Sequence, residues 1–171
     1  VVILGAGATV ATIPNGDKNG NPCSVMHGFI HNLGLDTILA TVKLNTKSEN
    51  IEDVYSELYE RGDECKAVRE QLEEAIFSYL SRLELPAEIT VYDEIILALT
   101  QKDMIATFNW DPLLIQAYNR ARKLTTNLPK LTFLHGNVAA GYCERCGHFG
   151  ALQRVKCDNC GAAYHRSPLL F

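Results

Sequence analysis

Apolar and polar positions along the chain predict short strands alternating with helices. Val1 to Leu4 are all apolar and stop at Gly5, the pattern of a strand buried on both faces of a parallel sheet. Pro14, Asn15, Gly16, Asp17, Asn19, Gly20, Asn21 and Pro22 then crowd together, which predicts a mobile loop from Thr12 to Pro22. Asn50 is placed to cap a helix in which Ile51, Val54 and Leu58 share a face, and Gly62-Asp63 interrupts that helix. Val68, Leu72, Ile76, Leu80 and Leu83 recur at near-helical spacing until Pro86. Residues 91–100 read as another helix, so the middle of the chain is mainly helical.

Met104 to Phe108 have the bulk of a second strand. Asp111-Pro112 then signals a helix start: the carboxylate accepts from first-turn amides, and proline suits the first helical position. Leu114, Ile115, Tyr118 and Ala121 supply its buried face. Asn127 to Lys130 turns the chain into a third strand, Leu131 to Leu134, which ends at His135-Gly136. Strand, helix, strand alternation predicts an α/β architecture with a parallel sheet. The sequence opens on Val1 and closes on Leu169-Leu170-Phe171, both apolar, so the sheet is expected to be incomplete in this fragment.

Composition narrows the functional classes. The chain has 171 residues, 47% hydrophobic and 21% charged, which excludes wholesale disorder. A chain of this length buries roughly 70% of its unfolded surface, enough for a core without disulfides. The net charge of −4 gives no electrostatic case for nucleic acid as a partner. No apolar run approaches the roughly 20 residues of a membrane span, and Val1 to Leu4 is too short for a signal segment. The expectation is a cytoplasmic protein without a membrane partner.

The densest chemistry is in the cysteines. Cys143-x-x-Cys146 and Cys157-x-x-Cys160 are ten residues apart, and each pair is followed by a glycine, Gly147 and Gly161. Two such knuckles can gather four thiolates around a structural zinc at about 2.3 Å, with no coordination position left for water. Two disulfides or free thiols are the alternatives. His148 and His165 flank the knuckles, while Cys23 and Cys65 lack a partner and read as small buried hydrophobes. Gly5-Ala6-Gly7-Ala8-Thr9 follows the first strand as a phosphate-approach loop; a tight turn without a ligand is its alternative. Asn109 and Asp111 follow the second strand, and His135, Gly136 and Asn137 the third. Ligands of open α/β sheets bind beyond the carboxyl ends of strands, so these three loops are expected to face one crevice. Taken singly, Asp111 is also a helix cap and His135 also a turn histidine.

The order of these pieces resembles the sirtuin family: Gly5-Ala6-Gly7-Ala8-Thr9, then Thr107-Phe108-Asn109-Trp110-Asp111, then Leu134-His135-Gly136-Asn137, then the paired cysteine knuckles. Sirtuin-like proteins show a Gly-Ala-Gly loop, a Thr-Gln-Asn-x-Asp segment, a Leu-His-Gly segment and a four-cysteine zinc module in that order. The resemblance implies a Rossmann-like NAD-binding core over residues 1–141 with a helical insertion at about 23–100, a zinc-knuckle module at 142–161 and a return to the core sheet at 162–171. It implies that Gly5, Ala6, Gly7, Thr9, Asn109 and Asp111 bind NAD, that Asn109 and His135 are catalytic, and that Cys143, Cys146, Cys157 and Cys160 hold zinc.

Several positions depart from the protein-deacylating pattern. Ile13-Pro14-Asn15 stands without the following Phe and Arg, Phe108 replaces the Gln, and Ser167-Pro168-Leu169-Leu170-Phe171 stands where Phe-Gly-Glu is usual. In this respect the chain is most similar to the divergent sirtuin-like NAD hydrolases of bacterial anti-phage defence systems. The expected reaction is cleavage of the nicotinamide–ribose bond to nicotinamide and ADP-ribose, in defence by NAD depletion. NAD-dependent lysine deacylation is the alternative favoured by the intact zinc module. A non-catalytic NAD- or ADP-ribose-sensing assembly module is the alternative from another class. A homo-oligomer or a complex with a partner protein is expected.

Overall fold

The computed structural model describes residues 1–23, 25–26, 28–152 and 156–169. Three short strands, β1 (Val2–Leu4), β2 (Met104–Thr107) and β3 (Lys130–Phe133), form a parallel sheet in the order β1-β2-β3. Leu4 lies opposite Thr107, and Thr107 opposite Phe133. The three strands therefore end level, and the loops that leave them emerge side by side from one edge of the sheet.

Among the described residues, the crossover from β1 to β2 holds six α-helices, α1 (Ala6–Thr12), α2 (Phe29–Asn32), α3 (Asp36–Leu39), α4 (Ile51–Glu60), α5 (Lys66–Leu80) and α6 (Val91–Ala98), with a 3-10 turn at Gly62–Cys65 between α4 and α5. Asn50 caps α4, its side chain accepting from the Glu52 amide at 3.0 Å, and Ile51, Val54 and Leu58 are buried as the periodicity predicts. Gly62 interrupts the helical run with φ +65°. α5 buries Leu72, Ile76 and Leu80 and stops there, six residues short of Pro86. Leu83 is buried beyond the helix end. α6 begins with a capping box in which the Thr90 and Asp93 side chains reach each other's backbone amides. Between β2 and β3, α7 (Leu113–Ala121) packs on α6 and buries Leu113, Leu114, Ala117 and Ala121. Ile115 and Tyr118, assigned to the buried face from sequence, are only half-buried.

Two expectations about the first residues of the chain need correction. β1 is not buried on both faces, because Ile3 is 68% exposed while Leu4 is buried. Among the described residues β1 is an edge strand that pairs only with β2, and none of them covers the Ile3 face. Thr12, expected to open the mobile loop, is instead the last residue of α1, and residues 13–22 form no helix or strand yet are anchored. The buried Asp17 carboxylate accepts from the amides of Asn19, Asn21 and Glu84 at 2.8–2.9 Å, which ties the loop to the chain beyond α5.

The cysteine-rich end builds a second, antiparallel sheet, β5-β4-β6, from β4 (Ala140–Tyr142), β5 (Phe149–Ala151) and β6 (His165–Arg166). The module thus extends past both boundaries set by the cysteines. Residues 165–166, expected to return to the core sheet, pair instead with β4. Leu170 and Phe171, at the end of that expected return, lie outside the described residues. Arg166 nevertheless links the module to the helical layer, bonding Glu74 at 2.5 Å and standing over the Phe77 ring at 3.9 Å.

Candidate functional site

The level strand ends gather the predicted loops around one cavity of about 260 Å³. Ala6 and Thr9 come to it from the loop and helix after β1, Asn109 and Asp111 from the loop after β2, and His135 from the loop after β3. The helical insertion closes the other side through residues that include Phe29 and Glu52. Gly5 and Gly7 flank the cavity-lining Ala6, and Asn137 is fully buried behind the site.

The glycines of the first loop are informative for what they do not do. Neither Gly5 nor Gly7 has a positive φ, and a Cβ on either would meet nothing within 4 Å. Within this chain, both positions therefore have space for a side chain, and an unliganded tight turn does not require glycine at either. What the glycines provide is bare backbone facing open space.

Beneath that loop runs a directed chain of hydrogen bonds. The Thr9 hydroxyl is buried and donates to Asp111 Oδ2 at 2.6 Å. A threonine has one hydroxyl proton, so the 2.9 Å contact with Tyr92 must have the tyrosine as donor. The two protons of the Asn109 NH2 group are in turn shared among three acceptors, the Gly5 carbonyl at 2.9 Å, Thr9 Oγ1 at 2.8 Å and the Tyr92 oxygen at 3.1 Å. Every side-chain hydrogen bond of Asn109 thus leaves from its nitrogen. Asp111 Oδ1 accepts from the Leu113 amide at 3.0 Å, so its carboxylate caps the first turn of α7, whose boundary residue is Pro112, while Asp111 also lines the cavity. Burial pushes the Asp111 carboxyl up, while the hydrogen bonds from Thr9 and Leu113 pull it back. Asn137 supports the arrangement from behind, donating to the Asp111 carbonyl at 2.6 Å.

Tyr92 is the member that sequence reasoning missed. It is a fully buried phenol in the first turn of α6, about 80 residues from Thr9, and no local motif marks it. Burial, with the Asp111 charge behind it, pushes the phenol up and keeps it neutral as a donor.

His135 stands edge-on to Phe108, ring centroids 4.9 Å apart. The next residue explains why glycine follows the histidine. Gly136 has φ +83°, and a Cβ there would come within 2.1 Å of the Pro168 carbonyl oxygen. The strap after β6 therefore presses directly on the backbone beside His135.

The four cysteines form a separate centre. Cys143, Cys146, Cys157 and Cys160 place their sulfurs within 4.8 Å of one another. Cys143–Cys160 and Cys146–Cys157 are 3.5 and 3.6 Å apart. A disulfide requires about 2.05 Å, whereas thiolates at about 2.3 Å from a tetrahedral ion lie about 3.8 Å apart. All four are free thiols, so the group can hold a metal ion such as zinc. Gly147 (φ +68°) and Gly161 (φ +72°) return each knuckle toward its first cysteine, their amides bonding the Cys143 and Cys157 carbonyls at 2.8 and 2.9 Å. The Asn159 side chain and then the His148 amide bring the Cys146 thiol down to about 6, whereas the Cys160 thiol, which the Ala162 amide lowers, is pushed up by burial and its neighbouring sulfurs.

The fold and sites thus define an α/β protein with a three-stranded parallel sheet and a four-cysteine group in a metal-binding arrangement. No protein-family model matches the chain, and no curated protein matches it. No helix among the described residues is long and apolar enough to cross a membrane.

Proposed function

We propose that this chain is the NAD-binding, Rossmann-like part of a sirtuin-like NAD+ hydrolase, with a structural zinc in the four-cysteine group. The observation that carries the reading is convergence: three loops from level ends of parallel strands bring Thr9, Asn109, Asp111 and His135 to one cavity. Ligands of open α/β sheets bind at that place. The cavity is smaller than a whole dinucleotide, since typical ligand pockets are about 300–1,000 Å³. It suits the nicotinamide riboside end, with the pyrophosphate outside along the bare backbone of Gly5 to Gly7.

In this reading the Asn109 amide, fixed by Gly5, Thr9 and Tyr92, keeps its oxygen for the ribose hydroxyls and the attacking water. Asp111 binds the nicotinamide carboxamide. The bond between ring nitrogen and ribose breaks with its electron pair going to the nitrogen, so nicotinamide leaves neutral and the ribose becomes oxocarbenium-like. His135 takes the proton from the water that attacks this carbon, a role typically worth about 10² to 10⁴ in rate. The zinc takes no part, because four protein sulfurs close its coordination shell.

Phe108 and Pro168 favour water over a peptide as acceptor. Phe108 packs on His135 where deacylases carry Gln, and Pro168 removes a backbone donor from the segment expected to offer a peptide edge. The test is product identity after incubating the protein with NAD+, with and without an acetylated peptide. Nicotinamide and ADP-ribose without peptide are expected. O-acyl-ADP-ribose formed in step with deacetylated peptide makes the protein a deacylase instead, and binding without turnover makes it a sensor.

A further inference from the structure

The cavity holds a charge that the proposed chemistry leaves unused. Its two carboxyl groups are Glu52 and Asp111, and no Lys or Arg is among the described residues that line it. Asp111 accepts from Thr9 and Leu113 and already has a role in the proposed reading, at the carboxamide. Glu52 is different: it is half-buried in the first turn of α4, with its amide held by Asn50. Its carboxylate makes no ion pair or hydrogen bond among the described residues. Beside it the cavity wall is aromatic, with Phe29 and Trp110 packed edge to face at 6.1 Å and Phe108 on His135.

A carboxylate in a cavity lined by aromatic rings, with no Lys or Arg among its described lining residues, disfavours anions and favours a flat organic cation. NAD+ carries both kinds of charge, a pyridinium ring at one end and a diphosphate in the middle. The diphosphate is disfavoured in this cavity and the pyridinium favoured. We propose that Glu52, from the helical insertion, is a positioning residue that reads the positive charge of the nicotinamide ring, so that the site selects oxidised NAD+ over uncharged-ring NADH. The inference rests on the NAD-cleaving reading of the same cavity. It also gives the helical insertion a part in reading the ligand.

Binding discriminates this role from a structural one. The probes are a carbocyclic NAD+ analogue, which keeps the ring charge but has no labile glycosidic bond, together with NADH and ADP-ribose. Calorimetric titration of the wild-type protein should show the analogue binding about tenfold or more tightly than NADH. Glu52→Gln, which preserves size and the helix start, should erase that preference while leaving ADP-ribose affinity unchanged, and Glu52→Asp should restore part of it. If the wild-type protein binds the analogue and NADH equally, or Glu52→Gln keeps the preference or weakens all three ligands alike, the role of Glu52 is refuted and the reading of the cavity stands. If the wild-type protein binds none of the three, both fall together.

Discussion

Replacing Gly7 by Ala separates what the first loop does for the fold from what it does for a ligand. Gly7 lies in the first turn of α1, its φ is not positive, and a Cβ there meets nothing within 4 Å. On the fold alone, alanine is the better residue. It loses less backbone entropy than glycine on entering a helix, a gain of roughly 0.5–1 kcal/mol, nearer the lower figure in a first turn. For a chain of this size that raises the melting temperature by about 1–4 °C. The effect on binding has the opposite sign. A methyl group on the bare backbone takes the space that a pyrophosphate needs, and affinity for a non-hydrolysable NAD+ analogue should fall about tenfold, or about 1.4 kcal/mol. Thermal unfolding and calorimetric titration of Gly7→Ala measure the two effects on one preparation. A stabilised variant that binds the analogue as tightly as the wild-type protein refutes the assignment of this loop to phosphate approach, and a destabilised one refutes the claim that the space is free.

Gly136→Ala should behave in the opposite way: its φ of +83° and the 2.1 Å approach to the Pro168 carbonyl add backbone strain of about 1–3 kcal/mol to a steric clash. The melting temperature should drop several degrees further than for Gly34→Ala, where φ is +69° but nothing lies within 4 Å. Elemental analysis of protein purified without chelator should find about one zinc per chain, and a Cys157→Ser variant should lose folded yield before it loses chemistry. For Asp93, burial raises the carboxyl, but hydrogen bonds from Arg120 and Thr90 outweigh it and hold it below its ordinary value of 3.8. The stability from this pair is therefore complete above about pH 4 and is lost as the pH falls through the lowered value. Acid-unfolding curves of the wild-type protein should show that loss and those of Arg120→Gln should show much less of it.

The parts legible in the sequence are those where local chemistry and burial agree. Asn50 and the Ile51, Val54, Leu58 stripe located α4, because a cap and a periodic face are properties of a few neighbouring residues. The brief apolar runs at 104–108 and 131–134 located two strands, observed at Met104–Thr107 and Lys130–Phe133, and the polar residues after them come to one cavity. The spacing of the four cysteines located their cluster. What could not be read depends on distant packing. The run Val1 to Leu4 carries no mark that one face is open at Ile3. The buried face of α7 turns toward Leu113 and Ala117 because α6 lies there, and α5 stops at Leu80 although Leu83 continues the apolar pattern. Tyr92 and Glu52 sit in a helical layer without any recognised motif, and only the fold brings them to the strand ends, Tyr92 to Thr9 and Asn109 and Glu52 to the cavity wall. The small sheet reaches past the cysteines because its pairing partners, Ala140 and Arg166, carry no metal-ligand signature.

The most direct test of the functional claim is nicotinamide release from NAD+ by the wild-type protein and by His135→Ala, with thermal unfolding of both as the control. His135 makes no hydrogen bond among the described residues and touches Phe108 only edge-on, so its removal leaves the hydrogen bonds from Gly5 to Asp111 in place. The expected result is steady release by the wild-type protein, a loss of about 10² to 10⁴ in rate for the variant, and closely similar melting temperatures. Absence of release from the folded wild-type protein, or an unchanged rate in His135→Ala, contradicts the assignment of this cavity to NAD+ cleavage by a histidine base.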